Sequence, residues 1–420
     1  MKSKIRVIAA IIMFTVLIAW AAYSRFVSRD GCYICAHSTS IAEVDPALAS
    51  ADNNFAFRLF SELNNDEKFE RNVFISPSSI SLALSMTLNG AGGSTAQSML
   101  KILGFGSMGL EDINKGNANL MRSLERGDPK VEISIANSLW LDNEGDFKKD
   151  FLSRTVRAYQ AEVDTIDFTS PGAARTMNGW VNRATRGYIR DMVDPSSLGD
   201  DTAMLLINAI YFNGKWTKPF KPEATSDMPF HLPDGSEKQV KMMNDSDKYH
   251  YMENSQFQAV SLPYGDKRFS MYVFLPSKES SLAEFCKLMD SANWNKWVSA
   301  MKEREGSIRL PRFKMEFDIR LNKILSRMGM SDAFAETADF IGMSDMKPLY
   351  IGPVLHKTFL EVDEQGTKAA AATHVMMMEA SIASRVGEPP FLMIVDRPFF
   401  CAIVDNQSGL ILFMGAIPNP

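Results

Sequence analysis

The sequence predicts an α+β fold built on large sheets. Helical patterns concentrate early in the chain and β-rich runs late, and the two do not alternate as parallel βαβ units require. Size is the second observation: 420 residues, 45% hydrophobic and 23% charged, can bury a large core as one domain or several. This composition excludes a disordered polymer, a collagen and a multi-pass membrane protein.

The chain opens with Lys2, Lys4 and Arg6, then runs uncharged from Val7 to Ser24. A basic start, an apolar run and Ala19-Trp20-Ala21 fit a secretory signal cleaved after Ala21. Residues 7–24 are also long enough to span a bilayer once as an uncleaved anchor. Both readings of residues 1–24 place the body outside the cytoplasm, secreted, extracellular or periplasmic. Residues 25–50 lack periodicity and read as a flexible tail. Cys32 and Cys35 within it lack the histidine spacing of a haem site, and a local or intermolecular disulfide is the plainer reading.

In the body, Phe55, Leu59 and Phe60 predict a helix over 54–63. Ser76 then caps and Pro77 starts a second helix, whose run Ile80 to Met86 is small and apolar nearly all round, so it is expected to be buried. Gly90-Ala91-Gly92-Gly93 stops it. Further helical patterns cover 151–161, 173–185, 281–301 and 319–328. Strands are expected over 133–141, 204–212, 269–275, 391–395, 399–404 and 410–414. Asp405 to Gly409 joins the last two as a hairpin.

Charge and motifs exclude most activities. Lys plus Arg is 45 against 50 for Asp plus Glu, and five cations against one acid in residues 1–40 leave the remainder more acidic still. No basic face for nucleic acid is expected. Four cysteines are too few for a disulfide scaffold, and the scattered His231, His250, His356 and His374 give no metal-ligand spacing. Gly90 to Gly93 lacks a phosphate-binding lysine, and no Gly-x-Ser-x-Gly elbow occurs. The chain is not expected to be an enzyme, nor to need a metal or cofactor.

One segment breaks the ordinary pattern. Glu364 to Glu379 begins polar, passes through Ala369, Ala370, Ala371 and Ala372, and ends apolar. Four alanines suit a short surface helix. With period two, however, Thr367, Ala369, Ala371, Thr373, Val375 and Met377 share one face without a charge. A segment able to be exposed loop or inserted strand is a bistable element.

From about Asn53 to Pro420 the sequence resembles the serpin family, through several motifs in order. Asn72-Val73-Phe74-Ile75-Ser76-Pro77-Ser78-Ser79-Ile80-Ser81 is similar to its shutter, and Asn89-Gly90-Ala91 with Thr95 follows. Asn208-Ala209-Ile210-Tyr211-Phe212-Asn213-Gly214-Lys215-Trp216 resembles the central strand of the large sheet and its breach. His356 to Val362 resembles the strand leading into the reactive loop, and Asp396-Arg397-Pro398-Phe399-Phe400, Phe413-Met414-Gly415 and Asn419-Pro420 resemble the closing strands.

The resemblance implies one domain over 51–420, with three β-sheets, eight to nine helices and an exposed reactive-centre loop. It also implies a suicide inhibitor of serine proteases. The protease acylates itself on the loop, and the cut loop inserts into the large sheet before deacylation. Carriers and folding assistants, the non-inhibitory minority of the family, are the alternative. The hinge is then Glu364, Gly366, Thr367 and Ala369 to Ala372, with Arg312 pairing Glu364. Counting about seventeen residues from Glu364, as the family does, places the scissile bond at Ala380–Ser381, suited to an elastase- or subtilisin-like protease with a small primary pocket. Met376 to Met378 and Arg385 are rival positions. A monomer is expected, with the target protease as covalent partner and no glycosaminoglycan cofactor.

Overall fold

The computed structural model describes residues 44–67, 71–143, 145–199, 202–345, 349–367 and 389–420. The expected signal or anchor and most of the tail lie outside the described residues. Among those described, no helix is long and apolar enough to cross a membrane.

The first helix begins earlier than its apolar spacing indicates, at Pro46 (α1, Pro46–Glu67). Asp45 accepts a 2.8 Å hydrogen bond from the Ala47 amide, so Asp45-Pro46 forms a cap with proline at the first helical position. Leu48 is buried with Phe55, Leu59 and Phe60, which draws the end of the expected tail onto the core. After strand β1 (Val73–Ile75), α2 (Pro77–Leu88) is buried along its whole length, as its all-round small and apolar sequence predicts. Then come α3 (Gly93–Leu103), α4 (Leu110–Glu125), β2 (Val131–Asp142), α5 (Lys149–Tyr159), β3 (Glu162–Ile166) and α6 (Ala173–Ala184).

The second half carries β4 (Met204–Lys215), β5 (Ser226–His231), β6 (Glu237–Glu253), β7 (Phe257–Tyr264) and β8 (Phe269–Pro276). The helix expected over 281–301 is two, α7 (Leu282–Lys287) and α8 (Ser291–Ala300). Ser281 caps the first with Glu284 in a reciprocal box, and the Asp290 carboxylate caps the second. Strands β9 (Lys302–Pro311) and β10 (Phe313–Arg320) follow. Ile319 and Arg320 thus close a strand and do not open the expected helix, because β10 pairs with its neighbour through Arg320. Only the short α9 (Asn322–Leu325) remains of that helix, before a wider turn in which Gly329 takes φ +110°. The chain ends in β11 (Val354–Asp363), the two-residue β12 (Gly366–Thr367), β13 (Phe391–Ile394), β14 (Phe399–Asp405) and β15 (Leu410–Ile417).

Nine α-helices are present among the described residues, but the strands form two hydrogen-bonded networks where the resemblance implies three sheets. The seventeen-residue β6 explains the merger: its start pairs β5, its middle β9 and its end β7, which joins two sheets into one of nine strands. The other sheet has the order β10-β11-β12-β4-β2-β3 and positions the site. Helix α2 lies beneath it, among Phe74, Leu206, Ile210, Phe413 and Leu412 of one continuous core.

Candidate functional site: hinge, breach and shutter

In the six-stranded sheet, β4 and β11 are parallel neighbours, a pairing that runs from Val354–Leu206 to Phe359–Tyr211. Beyond Tyr211 they part, and β12 stands between them. Gly366 and Thr367 pair antiparallel with Asp363 and Val362 on one side and with Lys215 and Gly214 on the other. The strand expected to insert has therefore entered the sheet by two residues.

Local sequence makes this entry. Asp363 Oδ1 accepts from the amides of Gln365 (2.8 Å) and Gly366 (3.2 Å), an Asx turn that reverses the chain. Gly366 has φ +148°, and a Cβ there would lie 2.1 Å from the Gly214 carbonyl oxygen. Only glycine tolerates both the dihedral and the approach. Thr367 is fully buried, and its hydroxyl shares a 2.8 Å hydrogen bond with that of Tyr264. Tyr264 stacks on Trp216 with ring centroids 4.3 Å apart. Trp216 in turn donates its indole N–H to the Asp363 carbonyl (2.9 Å) and its amide to that of Gln365 (2.9 Å).

Glu364 is buried within this turn. One carboxylate oxygen accepts from Arg312 Nε (2.7 Å) and Nη2 and from the Thr225 hydroxyl, and the Glu364 carbonyl accepts from the Phe220 amide (2.8 Å). Burial works to raise its pKa, but the Arg312 and Thr225 hydrogen bonds outweigh it and hold the carboxyl below its ordinary value. Arg312 and Glu364 are thus not two solvated charges but one clasp on the hinge.

The shutter lies lower on the same two strands. His356 of β11 and Asn208 of β4 stand opposite each other in register. His356 Nε2 accepts from the Ser76 amide (3.1 Å), so the proton sits on Nδ1, which lies 2.7 Å from Asn208 Oδ1 and donates to it. Asn208 Nδ2 donates to Asn137 Oδ1 (2.7 Å) and to the Ser79 carbonyl (3.0 Å). Ser76 caps α2 by accepting from the Ser79 amide. Burial pushes the His356 pKa down to about 3, so the ring is neutral. Farther along β11, the Thr358 hydroxyl donates to the Phe74 carbonyl (2.7 Å). The arrangement holds two parallel strands together through side chains and has no nucleophile–base pair.

Comparisons with known proteins give the family. The model of the family described as "Serpin (serine protease inhibitor)" matches residues 50–420. The chain is a serpin. This serpin is 36% identical to the leukocyte elastase inhibitor of Xenopus tropicalis, with 89% of this chain and 99% of that protein covered. It is 37% identical to serpin B6 of Bos taurus, over 89% and 100%. Among solved structures, a thermophilic serpin, tengpin, in its native state superposes with TM-score 0.81 at 32% identity, covering 91% of this chain and 96% of that one. Human thyroxine-binding globulin, with thyroxine bound, gives TM-score 0.81 at 28% identity, covering 89% and 98%.

The fold thus brings together Ser76, Asn208 and His356 in one cluster, where the shutter is expected, and Trp216, Arg312, Glu364, Gly366 and Thr367 in another, where the hinge and breach are expected. Ala369 to Ala372, Ala380, Ser381 and the rivals Met376 to Met378 and Arg385 lie outside the described residues. Sequence reasoning missed Thr225, Tyr264 and Asn137, and held Ser79 only as a member of the shutter motif. Asn137, the one amide side chain in the β-rich run Ile133 to Leu141, carried a faint signal; Thr225 and Tyr264 reach the hinge only through folding.

Proposed function

We propose that this serpin inhibits serine proteases as a suicide substrate, with Ala380–Ser381 as the bait bond. The observation that carries the reading is β12: Gly366 and Thr367 already occupy the slot between β4 and β11, followed in sequence by Lys368, whose position faces away from the inserting face, and by four alanines. Extended from Thr367, the same antiparallel register sets Ala369 opposite Phe212 and Leu360, Ala371 opposite Ile210 and Thr358, and Thr373 opposite both Asn208 and His356. These inward positions carry only small, uncharged side chains, so burial leaves no charge unpaired. The parallel β4–β11 pairs must separate as the strand enters.

The protease serine attacks the Ala380 carbonyl carbon, an acyl bond forms, and the bond to Ser381 breaks, its nitrogen leaving as a protonated amine. Insertion of Gly366 to Ala380 then carries the attached enzyme roughly 50 Å, at about 3.3 Å per residue. Ala380 fits a small apolar primary pocket, and the leukocyte elastase inhibitors that this chain resembles bear the name of such a target. The basic, apolar amino-terminal run supports export of the body, by a cleaved signal or an anchor.

Mixing the protein with an elastase-like and a trypsin-like protease tests the reading. A denaturant-resistant complex with the elastase-like enzyme and Ser381 as the new amino terminus is expected. Simple cleavage without a complex would remove the inhibitory reading, and a complex with only the trypsin-like enzyme and Val386 as new terminus would move the bait bond to Arg385.

A further inference from the structure

Four helices meet around a polar seam that the hinge and the shutter do not use. Asp52 of α1 is buried, and its Oδ1 accepts from the Ser81 hydroxyl (2.6 Å). Ser81 and Ser85 stand one turn apart on one face of α2, and Asn89 continues that face at the helix end. On α4, Asn114 exchanges two side-chain hydrogen bonds with Asn89, at 2.8 and 2.9 Å. Asn117, one turn further, donates to the Tyr159 hydroxyl of α5 (3.4 Å), which itself donates to Asn114 Oδ1 (2.6 Å). Gly116 lets α4 approach α1: a Cβ there would lie 3.1 Å from Leu48 Cδ2, one turn before Asp52.

Within this seam four side-chain oxygens are enclosed and have no hydrogen-bond partner: Asp52 Oδ2, Ser85 Oγ, Asn117 Oδ1 and Thr155 Oγ1. Their residues are at most 1% exposed. The Tyr159 hydroxyl marks where they converge. Burial raises its pKa to about 12, the neighbouring Asn117, Asn89 and Ser85 side chains work against that rise, and the Asp52 carboxylate adds to it. Groups of α1, α2 and α4 thus act on one atom of α5, and Thr155 stands one turn before it on that helix. Among the described residues no basic side chain pairs with Asp52. Arg154 reaches the seam only at the Asn89 carbonyl (3.2 Å), about 12 Å along α2 from Ser81.

A carboxylate buried without a counter-charge is costly, and so is each enclosed oxygen left unpaired. A water molecule satisfies the four oxygens but leaves the charge of Asp52 unbalanced, whereas a cation draws on the lone pairs of all four and cancels it. The donors are all oxygen, with no imidazole or thiolate, which selects a hard ion. One carboxylate balances one positive charge, and among the described residues no three His, Cys, Asp or Glu side chains gather to hold a metal. We propose that the seam binds one monovalent alkali cation, sodium or potassium, between Asp52 of α1, Ser85 of α2, Asn117 of α4 and Thr155 of α5. The ion ties α2, the helix beneath the shutter, to the three helices around it. The site is independent of whether the protein inhibits a protease.

Thermal unfolding of the full chain at pH 8 tests it, with sodium or potassium chloride replacing choline chloride at constant ionic strength. The Tm should rise saturably with the alkali ion and stay level in choline; the ion that saturates at the lower concentration is the ligand. Asp52→Asn should melt above the unaltered chain in choline and lose the rise, so that the alkali ion closes the gap. Thr155→Val removes a hydroxyl without a partner, so its Tm in choline should hold while the half-saturating concentration rises about fivefold. Crystals of the unaltered chain grown in each salt should show one ion among the four oxygens, by an anomalous signal for potassium or by contacts shorter than hydrogen bonds for sodium. Equal Tm values in all three salts would overturn the proposal. So would a rise that persists in Asp52→Asn, or a seam occupied by water alone.

Discussion

His356 and Asn208 face each other from adjacent parallel strands and are joined by a 2.7 Å hydrogen bond that His356 Nδ1 donates to Asn208 Oδ1. That bond crosses the seam that an inserting strand must open. On the proposed mechanism, insertion in the register of β12 would set Thr373 between the two side chains, and this polar knot keeps β4 and β11 paired until then. The knot is tied from below by α2, through the Ser76 amide and the Ser79 carbonyl.

His356→Ala is therefore expected to lower stability by about 2–4 kcal/mol. It leaves the Ser76 amide and Asn208 Oδ1 buried without partners, each worth about 1–3 kcal/mol, partly offset by water entering the space. The expected readout is a lower urea midpoint, with Asn208→Ala behaving alike. A midpoint unchanged in both variants would show that the knot does not hold the seam.

Acid should loosen the same seam. The His356 pKa is about 3 when folded and 6.5 ordinarily, so the unfolded chain binds the proton first and stability falls as the pH drops from 6.5 toward 3. The full effect of this one group is up to about 5 kcal/mol. His356→Gln should flatten the slope of unfolding free energy against pH in that window.

Asp52 acts in the opposite direction. It is fully buried, with one oxygen accepting from the Ser81 hydroxyl (2.6 Å) and the other without a partner. Burial raises its pKa to about 7, against the partial lowering by Ser81. Its contribution is present below pH 3.8 and is lost as the pH rises to 7, by up to about 4 kcal/mol. Asp52→Asn should therefore raise the Tm at pH 8 and leave it nearly unchanged at pH 4.

Removing the clasp should release the hinge. Arg312→Ala leaves the buried Glu364 carboxylate with Thr225 alone, a loss of about 1–3 kcal/mol. The expected result is faster spontaneous loss of inhibitory activity on warming. Reversing both charges, Arg312→Glu with Glu364→Arg, should restore part of what either single reversal loses; no restoration would argue against pairing.

Thr367→Arg tests insertion itself. The new side chain would point at Tyr264 and Phe212, where burying an unpaired guanidinium costs several kcal/mol. The variant should be cleaved as a substrate with little stable complex. In the unaltered protein, cleavage of the loop should raise the Tm sharply, because a new central strand completes its ladders on both sides. An unchanged Tm after cleavage would count against strand insertion.

Much of this was legible from local patterns. The Ser76-Pro77 cap, the all-round apolar α2, the β-rich runs and the Asp405 to Gly409 hairpin depend on neighbours a few residues apart, and each stands where the sequence places it. Boundaries were less legible where a second signal competed. Asp45-Pro46 began α1 before its apolar spacing did, Asp290 split one expected helix, and pairing to β11 kept Ile319 and Arg320 in a strand.

The sequence by itself determined the family, the Ser76-Pro77 cap, the glycine at the turn into β12 and the uncharged face of the segment after it. These follow from dihedral preference, side-chain size and period, which are properties of short stretches. Only the tertiary structure decided that Thr367 meets Tyr264, that Thr225 joins Arg312 on Glu364, that β6 fuses two sheets, and that oxygens from four helices meet in one buried seam. Those relationships depend on side chains brought together across tens to hundreds of residues, where burial and lost solvation set their strength.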